Sequence, residues 1–200
     1  MLRVKFIIDE SKLEHFWALK HGTESLPKDF LLETEKFKKT VELKWKEKEE
    51  LISLAFQELT GIRLEGEFVV FVLHPVLEIG QYDNEHDIEW GYDELFPNYI
   101  VMGIAHEILH CLTHAFYMTL TDDQKWIFHA LIYLAIDEEL RSKLNGEGEY
   151  FSSPIVDTYD KRLIQTAKNI LPYHKKYIAE SGLKNIFHFY EQISKLNLGI

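Results

Sequence analysis

The stretch from Tyr99 to Met118 constrains the fold more than any other. On a helical wheel of about 100° per residue, with His106 at zero, Tyr99, Met102, Gly103, Glu107, His110, Thr113, His114 and Tyr117 share one arc. Val101, Ile104, Ala105, Ile108, Leu109, Cys111, Leu112, Ala115, Phe116 and Met118 fill the other. The second arc is apolar and wide enough to demand burial, so two imidazoles and a carboxylate are left bordering a cleft. Four residues along a helix turn the azimuth by about 40° and climb roughly 6 Å. His106 and His110 therefore project from adjacent turns and can grip one cation, the spacing of a zinc clip. Glu107 lies about 100° round from His106, outside the ligand shell but beside it, where a carboxylate can act as a base toward water. A chain of this length and composition should hold roughly 0.06 His-Glu-x-x-His matches by chance, so the pattern is informative.

A catalytic zinc needs a third protein ligand and one position left open. His114 lies about 12 Å up the axis from His106, too far for both to meet one ion, and is expected near the site or facing substrate. The following helix, expected over Asp122 to Asn145 as an antiparallel neighbour, is apolar nearly all round from Trp126 to Ile136 and then runs into Asp137-Glu138-Glu139. Buried acids require partners. Glu138 continues the stripe of Ile127, Leu131, Leu134 and Ala135 and is the first choice as third ligand, with Glu139 and Asp137 as alternatives. Asp137 is also placed to pair with Arg141 four residues on. Donors for a developing oxyanion include His114, His129, His174, His188 and Tyr173, among which the sequence does not choose. Cys111, on the apolar arc, reads as an inert core thiol.

The surrounding elements follow from periodicity and punctuation. Leu2 to Ile8 alternates as a strand, and Asp9 or Ser11 caps a short helix through Ala18. Pro27 to Leu59 is a long charged helix stopped by Gly61. Glu67 to Leu73 is β-branched, aromatic and therefore an interior strand. Gly80 to Asn84 carries turn chemistry, and the charged Asp87 to Tyr92 suits an edge strand. Gly146 to Ser153 is a polar loop, and Tyr159 to Leu196 forms two helices broken at Ser181-Gly182. The expected architecture is α+β, a single domain over 1–200 with a small, mainly antiparallel sheet. Residues 1–60 supply a strand and helices, 62–145 the sheet and metal-site helices, and 159–196 the C-terminal helices.

Composition narrows the function. Lys and Arg number 22 against 33 Asp and Glu, for a formal charge of −11, the wrong sign for binding nucleic acid through its phosphates. One cysteine excludes an internal disulfide framework. The first ten residues lack a signal-peptide core, and apolar runs are broken before the ~18 residues of a membrane span. The chain reads as a cytoplasmic protein that neither crosses a membrane nor pairs with nucleic acid.

His106, Glu107 and His110, with a downstream glutamate on the next helix, make residues 62–145 resemble the zincin metallopeptidases, in particular the compact members of the gluzincin branch typified by thermolysin. The resemblance implies a small sheet packed on a pair of active-site helices, one Zn2+ per chain on His106, His110 and Glu138, and hydrolysis of peptide or protein substrates with Glu107 as general base. It also implies an edge strand that binds extended peptide, for which Asp87 to Tyr92 is the expected segment. Thermolysin-type enzymes carry an Asp four residues after the ligand Glu; here Ser142 follows Glu138 and Lys143 follows Glu139. The acidic stretch Asp83 to Glu94 would favour basic peptides. Two other readings stand beside this one. A metal-free or structural-metal zincin scaffold would serve as an interaction or regulatory module. A di-iron carboxylate bundle would use Glu107 and His110 as an ExxH unit, but it needs a second copy and two further helical glutamates.

Overall fold

The computed structural model describes residues 2–22, 25–83, 86–146, 149–153, 156 and 159–196. Asn84 of the expected turn and residues 147 and 148 of the expected loop lie outside them. The elements run β1 (Leu2–Ile7), α1 (Glu10–His21), α2 (Phe30–Thr60), β2 (Gly66–Val72), a 3-10 turn (Pro75–Leu77), β3 (Gly80–Tyr82) and β4 (Asp87–Trp90). Then come α3 (Tyr99–Tyr117), α4 (Asp122–Tyr133), a π-helical segment (Leu134–Leu140), α5 (Arg141–Asn145), α6 (Lys161–Ala179) and α7 (Ile186–Ile193). The protein is α+β with a small mixed sheet. Among the described residues, no helix is long and apolar enough to cross a membrane.

The chain divides into two compact units. One comprises Met1–Glu49 with Glu65–Leu112, and the other Glu50–Leu64 with Thr113–Ile200. In the first, the strand order is β1-β2-β4-β3. β1 pairs with β2 and β2 with β4 in parallel, while β3 pairs with β4 antiparallel. The expectation of a mainly antiparallel sheet is thus corrected. Two helices intervene between β1 and β2, the long crossover that a parallel pair requires, while β3 reverses the chain between β2 and β4.

A second correction concerns β4, which is interior; the end of the sheet beyond it is β3, formed by residues expected to be a turn. Polarity misled here because Glu89 is neutralised in place. The residue is only 3% exposed, yet its carboxylate accepts from Lys12 Nζ at 2.5 Å and from Gln81 Nε2 at 2.6 Å. The cap of α1 is as expected: Asp9 Oδ1 accepts from the amides of Ser11 and Lys12. Leu13 of α1, Phe30 of α2, and Leu73 and Leu77 form a buried cluster, against which Phe16 and Trp17 pack.

Trp90 of β4, 2% exposed, seats the strand on α3. Its ring lies against Tyr99 and covers Gly103, where a Cβ would stand 1.9 Å from Trp90 Cη2. That glycine lets sheet and helix approach three residues before His106.

In the second unit, Phe116, Phe128, Phe187 and Tyr190 form an edge-to-face cluster with centroids 4.9 to 5.6 Å apart across its edge-on contacts. Gly61, at φ +75°, ends α2 where a Cβ would fall 1.8 Å from the carbonyl oxygen of Lys184. His174 of α6 is 2% exposed between Tyr177 and Phe189. Burial holds its pKa down, at about 4 instead of 6.5, although Glu139 stands 3.9 Å from Nδ1.

Two outcomes follow. Gly103→Ala, which in an open helix would add stability, should cost roughly 1–3 kcal/mol here through overpacking against Trp90, measured as a lowered urea midpoint. The unfolded chain protonates His174 near 6.5 and the native chain only near 4, so stability should be present above pH 6.5 and decline as pH falls toward 4. His174→Phe should flatten that part of the pH–stability curve.

Candidate metal centre

α3 carries the site because its apolar arc is consumed by packing. Ile100, Val101, Ile104, Ala105, Ile108 and Leu109 are all fully buried. The polar arc is then held at a fixed rotation. His106 and His110 are 5% and 6% exposed, and their Nε2 atoms lie 3.1 Å apart. Tyr82 of β3 lies flat on the His110 ring, centroids 5.1 Å apart and planes 5° from parallel, which limits how that imidazole can turn.

The group that could hold a metal ion is His106, His110 and His129: each offers one ring nitrogen, and these atoms all lie within 4.8 Å of one another. His129, half-buried, comes from α4. Two nitrogens on one tetrahedral zinc with bonds of ~2.1 Å lie about 3.4 Å apart, so the 3.1 Å between His106 and His110 fits a shared ion with little movement. Imidazole nitrogens also suit copper, iron and nickel, and the geometry by itself does not name the metal.

The third member is therefore His129, and Glu138 is not in the group. Glu138 is engaged elsewhere. Its Oε1 accepts from Tyr133 Oη at 2.6 Å and from the Phe151 amide at 2.9 Å, and its Oε2 from Arg141 Nη2 at 2.9 Å. The two alternatives are similarly held: Asp137 accepts from Tyr159 Oη at 2.9 Å, and Glu139 from the hydroxyl of Tyr150. Arg141 Nε donates to the Asp137 carbonyl oxygen, and its Nη2 pairs with the Glu138 carboxylate. Burial together with these hydroxyl bonds to carboxylates raises the pKa of both Tyr133 and Tyr150.

The reason for the difference is the π-helical segment Leu134–Leu140. Its i→i+5 bonding widens the turn, so a wheel stepped at 100° loses its phase before Glu138. The signal for His129 was nonetheless present. It is the one strongly polar side chain in the apolar run Trp126–Ile136, and a lone imidazole in such a run needs a partner.

His114 does not belong to the group. Cys111, 4% exposed, has its thiol pKa pushed up to about 12 by burial, then by Glu107 and Asp87, in keeping with an inert core thiol. Comparison of the chain with protein-family models, curated proteins and solved structures returns no match.

Substitutions separate the two roles. His129→Ala should weaken metal binding by at least about tenfold with little change in melting temperature of the metal-free protein. Glu138→Ala should instead leave Arg141 uncompensated and cost roughly 3–5 kcal/mol. Competitive chelator titration and thermal unfolding read the two effects.

Proposed function

We propose that the chain is a zinc-dependent metallopeptidase in which His106, His110 and His129 hold the ion and Glu107 is the general base. The observation that carries this reading is the convergence of three imidazole nitrogens within 4.8 Å, two of them from adjacent turns of a helix that has a glutamate between them. Three neutral imidazoles leave the double charge of a bound zinc uncompensated, and the chemistry it supplies is Lewis acidity toward a carbonyl and acidification of water.

The chain's own groups do the rest. Glu107, as a carboxylate, accepts a proton from the water whose oxygen attacks the peptide carbonyl carbon. It returns that proton to the nitrogen as the carbon–nitrogen bond breaks, so that the leaving group departs as an amine. Because Glu107 sits one position from His106, about 100° round the helix, it flanks the ligand set without joining it. β3, at the end of the sheet with Tyr82 on the His110 ring, takes the place that the resemblance assigned to Asp87–Tyr92. An extended peptide would add to β3 as a further strand, held by main-chain hydrogen bonds.

The third donor departs from the gluzincin pattern in being an imidazole where that branch uses a glutamate. It replaces the sequence-based ligand Glu138 and keeps the requirement for three protein ligands and one open position.

Zinc-loaded protein should cleave a mixed peptide library at one zinc per chain. Glu107→Gln should lower the rate by about 10²–10⁴-fold while zinc content, measured by elemental analysis, is unchanged. Undiminished cleavage by that variant would remove Glu107 from the mechanism, and protein that retains no zinc would remove the reading altogether.

A further inference from the structure

A cavity of about 430 Å³ in the second unit is lined by Tyr117, Asp122, Lys125, Trp126, Arg162 and His129. It therefore shares the third imidazole with the metal group. Its size is within the range of small-molecule and side-chain pockets. From its lining we infer that this cavity is a specificity pocket for an acidic substrate side chain, an inference that rests on the hydrolase reading above.

Two cations shape it, each held against an aromatic wall. The Arg162 guanidinium carbon lies 5.4 Å from the Trp126 ring centroid, and Lys125 Nζ lies 5.5 Å from that of Tyr117. Both distances are within cation–π range, which fixes the heads without consuming their donors.

The nearby acids are the more exposed charges, although Asp122 also lines the cavity. Asp122 is 3.7 Å from Lys125 and its side chain is 98% exposed; Asp123 accepts from Arg162 Nη2 at 2.5 Å and is 83% exposed. The cations are the more sheltered partners, Lys125 at 28% and Arg162 at 43%. Exposed carboxylates are screened by water and salt, and both acids also sit in the first turn of α4, facing its positive end. The two cations are therefore the less screened charges at the cavity, beside the lining Asp122. Asp123 takes one of five guanidinium N–H donors, leaving an edge for a carboxylate, and the aromatic walls suit the methylenes of a glutamate. This preference is opposite to the basic-peptide preference expected from the acidic stretch Asp83 to Glu94.

The experiment uses the full chain and blocked pentapeptides of alanine with Glu, Leu or Lys at the centre. Binding is read on zinc-loaded Glu107→Gln protein from the Trp126 indole resonance, assigned with Trp126→Phe, and cleavage is read on the wild type. The Glu peptide should shift that resonance and bind about tenfold tighter than the Lys peptide. Lys125→Gln and Arg162→Gln should each erode the preference, and the double change K125E/R162E should reverse it, with the helical circular-dichroism signal retained. Equal binding of the three peptides, an unmoved Trp126 resonance, or a preference that survives K125E/R162E overturns the pocket. Preferential binding with no cleavage by the wild type sinks the hydrolase reading and leaves the pocket standing, whereas cleavage without preference does the reverse.

Discussion

Two imidazole nitrogens buried 3.1 Å apart cannot both aim a hydrogen at each other. They either share a single proton or turn two lone pairs toward one cation, and with a third ring nitrogen within 4.8 Å the group could hold such an ion. Much of the first unit serves that constraint. The apolar arc of α3 is fully buried from Ile100 to Leu109, Trp90 presses on Gly103 to set the height of the helix against β4, and Tyr82 limits the tilt of His110. Each contact removes a freedom that would otherwise let the imidazoles part.

The acids of the π-helical segment illustrate how burial converts charge into structure. Asp137, Glu138 and Glu139 are each met by a tyrosine hydroxyl, and Glu138 also by a guanidinium and a backbone amide. Such carboxylates hold the chain that follows α5 against the helix, and none of the three is in the imidazole group. A buried, fully satisfied acid and a metal-binding acid look alike in sequence, because both interrupt an apolar run. Glu89 makes the same point in the sheet, where Lys12 and Gln81 let a charged residue occupy an interior strand.

What the sequence by itself determined is local. The wheel of α3 separates the His106, Glu107 and His110 face from the packing face, because a 3.6-residue period is a property of the backbone and needs no partner. The Asp9 cap, the stop at Gly61 and the interior character of β2 rest on equally local chemistry. The tertiary structure decided what depends on partners. Parallel pairing of β1 with β2 comes from the helices between them. β4 lies inside the sheet because Lys12, 77 residues from Glu89, reaches its carboxylate. His129 of α4 is the third member of the imidazole group. Glu138 is instead bound to Tyr133, Phe151 and Arg141, because the π-helical segment changes the rotation from Leu134 onward and no fixed angular step along the chain can anticipate a change in the hydrogen-bonding period.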